Sequence, residues 1–161
     1  TATHSYSSKW YTWPLELRSV FYWQDVKAGQ YIYFLGNPFI YWLGTLSLVL
    51  LLLTIIRKKG FQNHPKKVPL FILTGFIVNF LPFIFIGRVM FLYHYEAALI
   101  FSILAIAFLL DSMKSHRSKI IAGSVLVIIS LALFIFFSPL SYGLHLDDDQ
   151  LKSRMWISTW R

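Results

Sequence analysis

The sequence has 161 residues, 57% of them hydrophobic and only 14% charged, with 15 Lys and Arg against 7 Asp and Glu for a net charge of +8. Soluble domains carry nearer a quarter charged residues, so this composition excludes a disordered chain, a collagenous chain and a disulfide-stapled secreted domain. The basic residues do not gather in one patch, which argues against a nucleic-acid footprint. With no cysteine, a thiolate nucleophile and a Cys-based metal site are also excluded. The chain opens on Thr1-Ala2-Thr3-His4, without Met or a signal-peptide pattern, and reads as a piece cut from a longer protein.

Residues 1–36 form an aromatic segment. Trp10, Tyr11, Trp13, Phe21, Tyr22, Trp23, Tyr31, Tyr33 and Phe34 fall within it, and Trp and Tyr favour the headgroup zone of a bilayer. Pro14 is placed to open a short helix over residues 15–20. Residues 19–23 and 31–35 read as two short strands joined by a turn at Asp25-Val26-Lys27-Ala28-Gly29. This is an aromatic lid with a small hairpin.

Residues 37–138 hold four apolar spans, at about 39–56, 68–86, 89–110 and 120–138. Each approaches the roughly 20 residues needed to cross a hydrocarbon core. Four buried helices of a soluble bundle would show polar faces, whereas Leu46-Ser47-Leu48-Val49-Leu50-Leu51-Leu52-Leu53 shows none. Pro38 stands near the start of the first span, Pro82 bends the second near its end, and Pro139 stops the fourth. The tail, residues 139–161, has a turn at Ser141-Tyr142-Gly143. A terminal helix is expected from Asp148, with Trp156 and Trp160 on one face as an interfacial anchor. The fold class is therefore an all-α integral membrane protein. It has four transmembrane helices, a short aromatic extracytoplasmic N-terminal segment and a short C-terminal interfacial helix.

Lys and Arg set the orientation. Loops 57–67 and 111–119 hold Arg57, Lys58, Lys59, Lys66, Lys67, Lys114, Arg117 and Lys119, while the other side is sparsely basic and carries Glu16, Asp25, Asp147, Asp148 and Asp149. The two loops are expected on the cytoplasmic side, with both termini and the Gly87-Arg88 turn outside.

Ionisable groups beside a span are functional candidates. Arg88, His94 and Glu96 lie in Gly87-Arg88-Val89-Met90-Phe91-Leu92-Tyr93-His94-Tyr95-Glu96. If the third helix includes Arg88, Tyr95 follows seven residues later on nearly the same face, with His94 turned away. Arg88 fits either a snorkelling headgroup anchor or the partner of a lipid-linked phosphate, which its planar fork matches. His94 fits an interhelical hydrogen bond as well as a functional role. Glu96 could serve as a base, but a salt bridge to Arg88 or a protonated carboxyl suits it better. Thr74 and Asn79 read as helix-packing contacts. No ligand pair at helical spacing supports a metal site, and Asp147-Asp148-Asp149 reads as a helix cap rather than a metal cluster. No phosphate loop, nucleophile elbow or dinucleotide motif occurs.

Four stretches together resemble the C-terminal four-span region of the protein O-mannosyltransferases. They are His4-Ser5-Tyr6-Ser7-Ser8-Lys9-Trp10-Tyr11-Thr12-Trp13-Pro14-Leu15 with Arg18; Leu35-Gly36-Asn37-Pro38 with Trp42; Arg88-Val89-Met90-Phe91-Leu92-Tyr93-His94-Tyr95; and Pro139-Leu140-Ser141-Tyr142-Gly143 with Trp160. They keep the family's order over nearly the whole chain, and the opening looks closer to bacterial members than to fungal ones. One departure stands out. The family continues His-Tyr with one residue and then Pro-Ala-Leu, and this chain has Glu96-Ala97-Ala98-Leu99, which removes an expected kink and adds a carboxylate.

The resemblance implies a multi-pass enzyme, at the plasma membrane in a bacterium, that moves mannose from a polyprenyl-phosphate donor to Ser or Thr hydroxyls of proteins. Its acidic catalytic base lies in the N-terminal half of the same enzyme, so this segment alone is expected to be catalytically incomplete. Its expected contribution is donor binding through Arg88, His94 and Tyr95. His4, Trp10, Trp13, Arg18, Asn37 and Glu96 are further candidates for donor or acceptor contacts. Membrane lipids are expected partners, no nucleic acid is, and neither a cofactor nor a metal ligand set is implied. The competing readings are a related lipid-phosphate glycosyltransferase with another sugar or acceptor, and a non-catalytic four-span scaffold.

Overall fold

The computed structural model describes residues 4–57, 65 and 67–160. Most of the basic loop 57–67 therefore lies outside the described residues. The elements are a 3-10 turn at Trp10–Leu15, strands β1 (Val20–Asp25) and β2 (Gln30–Phe34), and helices α1 (Pro38–Ile56), α2 (Lys67–Phe80), α3 (Glu96–Asp111), α4 (His116–Tyr142) and α5 (Asp148–Arg154), with further 3-10 turns at Leu81–Phe85, Leu92–Tyr95 and Ser158–Trp160. Among the described residues, four helical stretches are long and apolar enough to cross a membrane: Pro38–Ile56, Lys67–Phe85, Leu92–Asp111 and His116–Tyr142.

The first turn lies earlier than the expected helix over 15–20. It contains Pro14 and ends on Glu16, whose φ of 51° puts it in the left-handed region. Few residues other than Gly take that conformation, and here it reverses the chain toward β1. The strands pair antiparallel, Val20 opposite Phe34 and Asp25 opposite Gln30, with a bulge between Phe21 and Trp23. Asp25 Oδ1 accepts hydrogen bonds from the Lys27 and Ala28 N–H groups, and Gly29 closes the turn at a φ of 63°.

α1 starts with Pro38 at its first position, where a missing N–H costs nothing. It packs on α3 through Gly44, whose absent Cβ would lie 2.8 Å from Ser102 Cβ. Gly75 of α2 meets the Phe101 ring in the same way. Small residues at such crossings let helix backbones approach where lipid supplies no hydrophobic drive. Leu48, Leu51, Ile72, Leu73, Ala105 and Phe108 form the core of this three-helix group. The second span changes from α to 3-10 geometry at Leu81, beside Pro82. The third begins at Leu92 rather than Val89, because residues 86–91 are not helical.

α4 runs straight through Pro139, where the sequence pattern predicted a stop. Proline removes the hydrogen bond to the carbonyl four residues back, and the Ser138 hydroxyl donates to that Ile135 carbonyl at 2.9 Å instead. The helix ends at Gly143 in the left-handed region. α5 has a capping box, with Asp147 accepting from the Gln150 N–H at 2.7 Å and the Gln150 side chain accepting from the Asp147 N–H.

α5 stops at Arg154, so Trp156 and Trp160 do not share a helical face. Trp156 is exposed and Trp160 is fully buried. The Trp160 indole N–H donates to the Glu16 carbonyl, the Ser19 hydroxyl donates to the Trp160 carbonyl, and the Thr159 hydroxyl donates to the Leu17 carbonyl. Beneath these bonds, Tyr31, Tyr33, Phe137, Leu140, Leu146 and Leu151 pack with Trp160. The lid and the tail thus form one layer over one end of the helices.

Candidate functional site

The lid, the loop after the second span and the tail enclose a cleft of about 910 Å³. Three cations line it: Lys9 at the start of the first 3-10 turn, Arg18 beyond its end, and Arg88 in the loop between the second and third spans. Leu17, Ile84, Ile86, Val89, Met90 and Ile157 supply apolar walls, and among the described residues no acidic side chain lines the cleft. The loop is held against the lid by the Ser8 N–H, which donates to the Met90 carbonyl at 2.8 Å. Positive charge beside hydrocarbon walls suits an anionic group attached to a lipid or sugar.

Arg88 is exposed and pairs with no acid among the described residues. It lies in an irregular bend, not on the third helix, so the expected shared face with Tyr95 does not exist. Arg18 donates from Nη2 to the Ser5 carbonyl at 2.5 Å, while its buried Nε has no partner. Trp10 lines the cleft and meets Phe80 edge-on at 5.3 Å.

The other sequence candidates have structural positions beneath or beside the cleft. Tyr95 is fully buried, packed on Tyr41, Phe76 and Phe80, with its hydroxyl 3.1 Å from Ser102 Oγ. It supports the floor and does not line the cleft. His94 lies near-parallel to the rings of Trp13, 5.9 Å away, and Tyr93, 4.7 Å away. Its Nδ1 is 3.0 Å from the Phe91 carbonyl and 3.3 Å from the Phe91 nitrogen. Trp13 is fully buried and donates to Ser8 Oγ at 2.8 Å. The Phe-Leu-Tyr-His-Tyr run is therefore a packed platform that fixes the loop carrying Arg88.

His4 is exposed, edge-on to Phe91 at 5.0 Å. Asn37 donates from Nδ2 to the Ser130 carbonyl at 2.8 Å and so ties α1 to α4. Glu96 is exposed at the first position of α3, where the helix N-terminus favours an acid. No ion pair joins it to Arg88 among the described residues. Asn79 bonds back to the Gly75 carbonyl within its own helix. No group of three His, Cys, Asp or Glu able to hold a metal occurs among the described residues.

Sequence reasoning missed Glu16. It is fully buried where the lid meets α1, one oxygen accepts from the Gly36 N–H, and the other has no partner. Burial pushes its carboxyl up to about 8, against the smaller lowering effect of the Gly36 bond. Only the left-handed turn at Glu16 points the side chain inward, and nothing in the local sequence signals that turn.

A four-span membrane bundle with an aromatic lid and a basic, acid-free cleft defines the class. Residues 1–160 match the family described as the C-terminal four TMM region of protein-O-mannosyltransferase. The chain belongs to that family and is its C-terminal membrane region. It is 29% identical to dolichyl-phosphate-mannose--protein mannosyltransferase 5 of Saccharomyces cerevisiae, over 98% of this chain and 23% of that protein. It is 33% identical to dolichyl-phosphate-mannose--protein mannosyltransferase 1 of Candida albicans, over 89% of this chain and 18% of that protein. The solved S. cerevisiae Pmt1-Pmt2 protein O-mannosyltransferase complex bound to the sugar donor superimposes with a TM-score of 0.85 at 28% identity, over all of this chain and 24% of that one. The chain thus spans between about a fifth and a quarter of the length of these relatives.

Proposed function

We propose that the whole protein transfers mannose from a polyprenyl-phosphate donor to Ser or Thr hydroxyls of proteins, and that this region holds the donor's phosphate. The observation that carries the reading is the cleft lined by Lys9, Arg18 and Arg88 with no acid among its lining residues. Breaking the mannosyl–phosphate bond leaves growing negative charge on the lipid phosphate, and preorganised cations lower that barrier. Arg88 is the principal phosphate ligand and Arg18 the second. His94 and Tyr95 position the Arg88 loop through their packing, and Trp10 offers its ring to the sugar or lipid. The general base for the acceptor hydroxyl belongs to the N-terminal half of the enzyme, as does the rest of the acceptor site. The names of the relatives and the donor-bound state of the structural neighbour support this substrate class. The site faces away from the cytoplasm, at the plasma membrane of a bacterial cell.

The test is mannose transfer to a Ser/Thr-containing peptide by the full-length protein in membranes. Arg88→Ala at equal expression should lower kcat/KM by roughly 10- to 100-fold, the scale of one charge-assisted hydrogen-bonding group. Transfer that is insensitive to Arg88 removes the phosphate role. Absence of transfer from any mannosyl lipid removes the substrate assignment.

A further inference from the structure

Ser8 brings to the cleft a hydroxyl that is fixed in place and still has its hydrogen to give. It lines the cleft beside Lys9, and its Oγ accepts from the Trp13 indole N–H at 2.8 Å. An indole nitrogen can only donate, so Ser8 is the acceptor in that bond and its own O–H is unspent. Ser8 Oγ makes no other hydrogen bond among the described residues. The other hydroxyls at the cleft differ. Thr12 donates to the Lys9 carbonyl at 2.7 Å, and Thr159 donates to the Leu17 carbonyl. Among the described residues, no hydrogen bond orients the hydroxyls of Ser7 and Tyr11.

We propose that the Ser8 hydroxyl donates this hydrogen to the lipid-linked phosphate, as a third ligand beside Arg88 and Arg18. This role rests on the reading of the cleft as the donor's phosphate site. Within the cleft the protein offers little that competes for the hydrogen. The Met90 carbonyl already takes the Ser8 N–H at 2.8 Å, and no carboxylate lines the cleft among the described residues. The acceptor therefore comes with the ligand. A phosphate oxygen suits it, because a hydroxyl bound to an anion makes a short, charge-assisted bond.

Ser8 is held from two sides. Trp13 is fully buried, near-parallel to His94 at 5.9 Å and edge-on to Phe83 at 5.0 Å, so its indole is locked toward Ser8. The Ser8 backbone is tied to Met90, two residues after Arg88. The hydroxyl and the Arg88 loop thus belong to one fixed frame, and a donor fixed before the ligand arrives costs no reorganisation when charge grows on the phosphate. Donation by the indole also polarises the Ser8 O–H and makes it a better donor. Lys9, Arg18 and Arg88 supply charge, and Ser8 supplies direction.

The test is inhibition of mannose transfer by a short-chain polyprenyl phosphate and by the matching neutral polyprenol, with the full-length protein in membranes. Ser8→Ala should raise the inhibition constant of the phosphate roughly tenfold, the scale of one hydrogen bond to a charged group, and leave that of the polyprenol unchanged. Ser8→Thr, which keeps the hydroxyl, should restore the phosphate value. An equal rise for both inhibitors would mean that Ser8 only supports the shape of the cleft, and would end the proposal. Arg88→Ala separates the two levels of the assignment. If it weakens the phosphate and Ser8→Ala does not, the phosphate site stands and the Ser8 role falls; if neither does, the phosphate site itself falls. Ser8→Ala also leaves the buried Trp13 N–H without its acceptor. Should that variant fail to fold, Trp13→Phe combined with Ser8→Ala removes donor and acceptor together. The pair should still bind the phosphate roughly tenfold more weakly than Trp13→Phe alone, and equal binding by the two overturns the assignment.

Discussion

Glu16 owes its titration to a backbone turn, not to a charged partner. Its left-handed φ directs the carboxyl under the lid, where the Gly36 N–H stabilises one oxygen and the neighbouring Tyr41 ring replaces water. The folded carboxyl titrates at about 8 against an ordinary 4.5. Between these values the folded protein keeps a proton that the unfolded chain has lost, so stability falls as pH rises. The contribution is fully present below 4.5 and declines by up to about 1.4 kcal/mol per pH unit until pH 8. Thermal unfolding of the purified full-length protein between pH 5 and 8 should show this decline, and Glu16→Gln should flatten it. Parallel pH profiles for the two proteins would refute the buried-proton account. In the sequence, Pro14 read as the opening of a short helix over residues 15–20, so the inward turn at Glu16 was illegible. Arg88 was legible as chemistry, because an arginine beside a span needs an explanation. Its position was not, since a bend at residues 86–91 broke the helical period that had linked it to Tyr95.

At the scale of elements, the four spans could be read from length and polarity, while their ends depended on local hydrogen bonds that apolar counting does not see. Pro139 signals a stop, yet the Ser138 hydroxyl replaces the lost backbone donor and α4 continues to Tyr142. How closely the helices pack is set by single small residues. Gly44 and Gly123 look alike in sequence, each in the middle of an apolar run. A Cβ at Gly44 would fall 2.8 Å from Ser102 Cβ, near the α3 backbone, whereas one at Gly123 meets nothing within 4 Å. Gly44→Ala should push α1 from α3 and cost roughly 1–3 kcal/mol, the usual range for overpacking. Gly123→Ala should leave stability unchanged or slightly raised, since alanine is the better helix former. Melting temperatures of the two variants in one detergent check the contrast. Equal effects would mean that the α1–α3 crossing is not the tight contact described.

For the whole molecule, an even number of spans puts the lid and the tail on one side, and they form a single layer there. Trp160 joins them through Glu16 and Ser19, and Thr159 through Leu17. The opposite end carries Arg57, Lys114, Arg117 and Lys119, with Asp111 paired to Lys119. These two ends differ in what crossing the membrane requires. Short loops rich in Lys and Arg resist translocation, and acidic residues count little in that bias. The lid side has its few cations spread along longer segments, among them the three at the cleft. The cleft should therefore face away from the cytoplasm, because the loops that resist crossing lie at the far ends of the same helices. A single cysteine placed in residues 57–67 of the full-length protein should react with an impermeant maleimide only after the inner face is opened, and one placed at Val26 in the hairpin turn should react in intact cells. Labelling of the 57–67 cysteine from outside would invert the whole bundle. The cleft would then open to the cytoplasm, against the outward-facing site proposed for it.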